Sequence, residues 1–220
     1  MENIDPIYEI KTRAIDPWER LNLALTEQRA LEASKSDEAR EAGRLAAAIR
    51  GLAEDFGLDA RDLAKSSADW TFLSAVADAS KVRLLTSAAR RTTLEASAHF
   101  EAGDNAHYRF INNRIMIVHP TAGNVEFLAA AAGTILLLIS RLGLAIDWTP
   151  KILEGPAEFR PMVQLDAGPD PNRVLEMLQV RFYKRNADGE LATFQPGDWQ
   201  LDLTTAGIVS ADVSDERRKD

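Results

Sequence analysis

The 220-residue sequence contains no cysteine. This absence excludes disulfides, cysteine-ligated zinc, iron–sulfur clusters and a thiol nucleophile. Chains without disulfides are typical of reducing compartments, so the composition favours a cytoplasmic protein. The first twenty residues have neither a basic start nor an apolar core, and we expect no signal peptide there.

Sequence motifs of catalysis are missing as well. The chain has no Gly-x-Ser-x-Gly elbow, no Walker sequence and no glycine fingerprint for a dinucleotide. Its 34 acidic residues outnumber 26 basic ones, giving a net charge of −8. Because affinity for nucleic acids rests on Lys and Arg meeting phosphates, we expect no nucleic-acid partner. We also expect no cofactor, and a non-enzymatic role is favoured over an enzymatic one.

The order of the patterns along the chain predicts an α+β fold. Residues 1–95 read as mainly helical, residues 96–209 as a mixed α+β region, and residues 210–220 as a disordered tail. The apolar fraction of 45% is enough for a core of ordinary size. The predicted parts are a helical hairpin or bundle, an antiparallel meander, a long apolar central helix and a C-terminal β-hairpin.

Capping signals predict the helices of the first part. Asp16-Pro17 is expected to start a helix that runs to about Ser34. Ser36 is expected to start a second helix, which stops at Gly57. The two should pack as an antiparallel hairpin. A third helix follows, and its buried side is predicted to carry Trp70, Leu73, Val76 and Ala77.

Two turn signals, "AGDN" and "NN" at 112–113, predict a three-stranded meander over residues 96–119. The meander carries side chains suited to zinc, iron or manganese, namely His99, Glu101, His107 and His119. The first turn, however, predicts a register in which His107 faces Phe100 and points away from Glu101. At most two histidines then converge, so we expect no metal site, and a metal-dependent enzyme stays an alternative.

The stretch "FLAAAAGTILLLISRLGLAI", residues 127–146, has one charge. We predict a central helix over residues 125–146, capped by Asn124. A helix that is apolar all round is buried in its own core, against a second copy, or in lipid. The charge and the flanking acids oppose insertion into lipid, so the core is favoured. The residues expected at an interface or in a membrane are Phe127, Ala129, Gly133, Leu137 and Arg141.

Three of these residues have specific structural requirements. Ala129 and Gly133 are small and would let another element approach the helix closely. In a protein core, the Arg141 guanidinium must reach a carboxylate or the surface.

The segment "VRFYKRNADGELATF" is the clearest hairpin in the sequence. Strand alternation puts Arg181, Tyr183 and Arg185 on one face. That face is suited to an anionic ligand, but we favour its interpretation as a solvated strand face guarded by charge. Asp170-Pro171 predicts a short helix before the hairpin, and "DWQLDLT" predicts a further strand after it.

The function that these observations favour is an interaction or structural subunit of an oligomer or larger assembly. Its partners would be further copies of the chain or other protein subunits. The first alternative is a membrane-associated protein that uses helix 127–146, and the second is the metal-dependent enzyme on the meander.

Overall fold

The computed structural model describes residues 5–81 and 92–205, and the α+β class is confirmed. The predicted tail and residues 82–91 of the predicted helical part lie outside these ranges. The helices are α1 (Pro6–Ile10), a π-helical segment (Lys11–Ile15), α2 (Asp16–Ala24), α3 (Asp37–Asp55), α4 (Ala60–Ser66), α5 (Ala68–Lys81), α6 (Phe127–Arg141) and α7 (Pro171–Met177). The strands are β1 (Thr93–Ala102), β2 (Tyr108–His119), β3 (Gly123–Glu126), β4 (Val163–Asp166), β5 (Val180–Arg185), β6 (Leu191–Phe194) and β7 (Leu201–Thr204).

The main sheet has five strands in the order β3-β2-β1-β5-β6. Strands β1, β2 and β3 form an antiparallel meander, and β5 and β6 form the C-terminal hairpin. The two units are joined because β5 lies parallel to β1. Strand β7 does not extend the hairpin; it pairs in parallel with β4 in a separate two-stranded sheet.

The first helical stretch differs from its prediction at both ends. It begins earlier in the chain, at the pair Asp5-Pro6 and not at Asp16-Pro17. The Asp5 carboxylate accepts from the Ile7 N–H at 3.0 Å. It ends at Ala24, because the chain beyond adopts an extended path beside β4. There the Ala30 N–H donates to the Asp166 carbonyl at 2.8 Å. The connection to α3 is therefore longer than the predicted joint.

Helix α3 confirms its predicted limits. The Ser36 hydroxyl accepts from the Ala39 N–H at 3.1 Å, and Gly57 ends the helix with φ of +67°. The predicted inner face of α5 is buried at every position, Trp70, Leu73, Val76 and Ala77.

The predicted second turn of the meander is wrong. Asn112 and Asn113 lie inside β2, each 2% exposed, and the chain turns at residues 120–122 instead. Asn113 stays in the sheet because its amide donates to two carbonyls of the α2–α3 connection, those of Glu27 and Arg29. The first turn holds, but its register differs: Phe100 pairs with Phe110 rather than with His107.

The central helix is shorter than predicted and has a different cap. The Glu126 carboxylate, not the Asn124 side chain, accepts from the N–H groups of Leu128 and Ala129, at 3.1 and 2.6 Å. The helix ends at Arg141, before Gly143 with φ of +63°. Within residues 5–81 and 92–205, no helix combines the length and apolarity required to cross a membrane.

Helix α6 lies in the core of its own chain. Its buried residues are Phe127, Leu128, Ala130, Ala131, Ala132, Thr134, Ile135, Leu138 and Ile139. Trp18 of α2 donates its indole N–H to the Leu128 carbonyl at 2.8 Å. Helix α5 lies close to α6 at Gly133, since a Cβ there would collide with the Asp69 carboxylate. Arg141 reaches the surface and hydrogen-bonds the Ser66 hydroxyl, as a core helix requires.

Two apolar clusters lie under the main sheet. The first joins the helices to Ala96, Ile115 and Ile117 of β1 and β2. The second joins Phe100 and Phe110 of the same two strands to β4, α7 and β5. The opposite face of the sheet is polar, and it carries the residues considered next.

Candidate ligand-binding site

The outer face of the sheet unites two groups of residues that the sequence presented separately. Strand β5 pairs with β1 so that His99 lies beside Arg181 and Glu101 beside Tyr183. Because side chains alternate along a strand, the core receives Phe100 and Phe182, while their neighbours point outward. The outward set that the pairing brings together is His99, Glu101, Arg181, Tyr183 and Arg185.

His99 is the buried centre of this face, with 2% of its surface exposed. Its ring stacks on Tyr183, with centroids 5.1 Å apart, and its Nε2 lies 2.9 Å from the Ser97 hydroxyl. Nδ1 has no hydrogen-bond partner among the described residues. Burial, aided by the positive charges of Arg114 and Arg181, lowers the pKa of His99 to about 3. The imidazole is therefore neutral at pH 7.

The other two histidines lie elsewhere. His107 is in the β1–β2 turn, where its Nδ1 is 3.0 Å from the Asn105 carbonyl. His119 ends β2 on the helical side of the sheet and contacts the Phe72 ring edge-on at 5.8 Å. Throughout the described ranges, no group of three or more His, Asp or Glu side chains could hold a metal ion.

Glu101 is engaged in a network of ion pairs. Its carboxylate accepts from Arg109 at 2.7 Å and from Arg185 at 2.9 Å. Arg109 also pairs with Glu154 at 2.7 Å. Both side chains that Glu101 contacts are cations. The Glu101 carboxylate therefore offsets positive charge at the end of the outer face that carries Arg109 and Arg185. Arg185, the third residue of the face considered for an anionic ligand, pairs with Glu101 in this network.

Beside the network lies a cavity of about 170 Å³. Its lining residues are Glu95, His99, Arg114, Met116, Val118, Asn124, Glu126, Gln179, Arg181 and Tyr183. Neither Arg114 nor Arg181 forms an ion pair with any residue in the described parts of the chain. The Arg114 guanidinium lies 5.9 Å from the centre of the Tyr183 ring, and its Nε is 3.4 Å from the Asn112 side-chain oxygen. Both guanidiniums are thus free to meet a ligand.

The two carboxylates of the cavity, Glu126 and Glu95, differ in their hydrogen bonding. Both oxygens of Glu126 accept from N–H groups at the start of α6. Burial raises the pKa of Glu126, against the effects of those N–H groups and of Arg114. Glu95 is half-buried and makes no hydrogen bond or ion pair within the described ranges.

A nucleophilic role for the Ser97–His99 pair is not supported by the geometry. Ser97 is 2% exposed and does not line the cavity. An imidazole with a pKa of about 3 is also a poor general base at neutral pH, since such a base works best with a pKa near the operating pH. The site is therefore suited to binding by charge and hydrogen bonds.

A larger cavity, about 430 Å³, lies between α2 and α3. Its floor is apolar, with Leu21 and Leu45 among its lining residues. On its charged rim, Arg13, Glu38 and Arg44 each already pair with another side chain. This cavity consequently has less charge available to select a ligand than the one on the sheet.

Sequence reasoning missed Arg114 and Glu95. Arg114 was expected just after a turn, and a continuous β2 would have placed it on the same face as Asn112 and Met116. Comparison of the chain with family models, with curated proteins and with solved structures finds no match in any of the three.

Proposed function

We propose that this protein is a non-enzymatic binding protein, and that its sheet cavity holds a small carboxylate-bearing ligand. The observation that carries the proposal is that two guanidiniums, those of Arg114 and Arg181, line the same cavity as the neutral His99 and have no ion-pair partner in the described chain. Guanidinium matches a carboxylate in shape and charge, and a partly dehydrated pair is stronger than an exposed one.

The size of the cavity limits the ligand. Its 170 Å³ correspond to about six water molecules at about 30 Å³ each. A short aliphatic carboxylate fits that space, whereas a nucleotide does not. Met116 and Val118 supply apolar surface for the aliphatic part.

The test is calorimetric titration of the protein with butanoate. Wild type should bind, and Arg181→Gln should weaken binding about ten-fold, because a charge-assisted hydrogen bond is lost. Lys184→Gln is the matched control: it removes the same charge from the same strand, but Lys184 lies over the Phe194 ring on the other face. Absence of binding by wild type, or an equal loss in both variants, would contradict the proposal.

A role as a subunit of an assembly is the second proposal. Leu23, Ile152 and Leu153 are 62%, 36% and 38% exposed. They belong to two neighbouring segments, because the side chain of Asn22 bonds the Lys151 carbonyl and the Leu153 N–H. Exposed apolar side chains grouped in this way are typical of protein contacts. These residues carry the proposal better than α6, most of whose apolar residues pack within the chain, with Ala129 and Leu136 as exposed exceptions.

Light scattering coupled to size-exclusion chromatography tests the subunit role. We expect a mass above that of one chain, 24.3 kDa, and a shift toward the monomer in Leu23→Ser. A strict monomer at all concentrations would argue against self-association.

A further inference from the structure

The charges of the sheet cavity are ordered along the strands. Glu95 of β1 pairs across to Met116, which pairs in turn with Glu126, so the two acids share one row. Arg114 lies opposite Ser97, two residues further along β1. Arg181 lies beside His99, another two residues along. With about 3.4 Å per residue, each step is about 7 Å, and the cavity has an acidic end and a basic end.

Three of these charges have no ion-pair partner in the described ranges: the Glu95 carboxylate and the guanidiniums of Arg114 and Arg181. Glu126 is different, because both of its oxygens already accept from the backbone of α6. His99 lies beside Arg181 at the basic end and, being neutral, adds no charge of its own.

A simple anion would satisfy the guanidiniums but would also be repelled by Glu95. A simple amine would meet Glu95 but be repelled by two guanidiniums. Only a ligand with both charges pairs the whole set, since like charges in a partly buried site are costly and opposite ones are favourable.

We propose that the ligand is a small zwitterion, an amino-carboxylate whose carboxylate meets Arg114 and Arg181 and whose ammonium meets Glu95. This proposal rests on the carboxylate-binding function above and adds the second charge. The short aliphatic spacer of such a ligand lies over Met116 and Val118, which line the same cavity.

The experiment uses three probes of equal chain length: butanoate, n-butylamine and 4-aminobutanoate. Each is titrated calorimetrically into the full chain, as wild type and as Glu95→Gln. Wild type should bind 4-aminobutanoate about five-fold more tightly than butanoate and should not bind butylamine. In Glu95→Gln, the zwitterion should lose about five-fold while butanoate gains about two- to three-fold, because its repulsion is removed.

The matched control is Glu190→Gln, which removes one acid in the exposed turn before β6 and should leave all three affinities unchanged. If Glu95→Gln does not fold, Glu95→Ala replaces it, with circular dichroism as the check on folding. Equal binding of butanoate and 4-aminobutanoate by wild type would overturn the zwitterion while leaving carboxylate binding in place. Absence of binding by both would overturn carboxylate binding and the zwitterion together.

Discussion

Individual residues of this protein are controlled most clearly by burial, and His99 is the main example. Its ring lies between Ser97 and Tyr183 with almost no exposed surface, so a proton would have to enter without water to solvate it. The nearby guanidiniums of Arg114 and Arg181 make protonation still less favourable. The imidazole is therefore part of the packing of the sheet face, and the charge available to a ligand comes from the arginines.

This burial predicts that the protein loses stability in mild acid. The pKa of His99 is lowered from 6.5 to about 3 in the folded state, so below pH 6.5 the unfolded chain binds a proton that the native chain does not. Stability therefore falls as pH decreases through this window, by about 2 kcal/mol between pH 7.5 and pH 5. Urea unfolding of wild type and of His99→Gln at both pH values measures the effect.

The comparison between the two chains isolates the histidine. Burial raises the pKa of Glu126 and of Asp69, and both act with the opposite sign just above their ordinary pKa values, but they are present in both proteins. An identical pH dependence in wild type and His99→Gln would refute the assignment.

At the scale of elements, asparagines in β2 tie distant segments to the sheet. The Asn113 amide donates to the carbonyls of Glu27 and Arg29, at 3.2 and 3.0 Å, and the Asn112 amide donates to that of Leu153 at 3.0 Å. The first pair of bonds holds the connection between α2 and α3 against the sheet. The second holds the segment that follows α6.

We expect Asn113→Ala to destabilise the protein by about 2–3 kcal/mol. The substitution removes two hydrogen bonds and leaves the partly buried Arg29 carbonyl without its side-chain donor, whereas the Glu27 carbonyl still accepts from the Arg29 N–H at 2.7 Å. A lost hydrogen bond costs about 0.5–1.5 kcal/mol, and an unmet buried group costs about 1–3 kcal/mol. Asn172→Ala, at an exposed position in α7, is the matched control and should change stability little. Chemical denaturation measures both, and equal effects of the two substitutions would show that the bonds of Asn113 contribute little.

Local signals predicted the elements whose ends depend on nearby residues. Ser36 and Gly57 limit α3, Asp170 caps α7, and the turn before β6 has Gly189 with φ of +82°. The "NN" turn was not predictable in this way. The bonds that keep both asparagines inside β2 go to residues far away in sequence, and no local pattern reports them.

The candidate site was predictable only in parts. Strand alternation placed Arg181 and Tyr183 on one face of their strand, and alternation along β1 likewise puts His99 and Glu101 on one face of theirs. The two pairs of residues come together only because β5 pairs in parallel with β1, and this pairing cannot be predicted from the sequence of either strand alone. Arg114 was missed for the same reason as the asparagines, because β2 was divided at the wrong residue.

At the scale of the whole molecule, β1 and β2 belong to both apolar clusters. Ala96 and Ile115 pack with the helices, while Phe100 and Phe110 pack with β4 and β5. Since β1 and β2 contribute residues to both apolar clusters, unfolding of one cluster removes packing contacts that support the other. We therefore expect residues 1–95 and 96–209 to fold as one unit and not as two independent ones.

This sharing predicts a single cooperative unfolding transition. In Trp199→Phe, the remaining tryptophans are Trp18, Trp70 and Trp148, all in or against the helical cluster, so their fluorescence reports that cluster. Far-ultraviolet circular dichroism reports the entire chain. We expect the two urea transitions to coincide, as they do in two-state proteins. Midpoints that differ clearly would mean that residues 1–95 unfold separately.

The parallel pairing of β5 with β1 also affects how the chain is made. Strand β1 is synthesised early, but its neighbour follows only after β2, β3, α6, β4 and α7. At about 5–20 residues per second, the ribosome needs on the order of ten seconds to cover that interval. Throughout it, the nascent sheet presents an open edge at Ala98 to Glu101, a template for mispairing with a neighbouring chain until the last hairpin emerges.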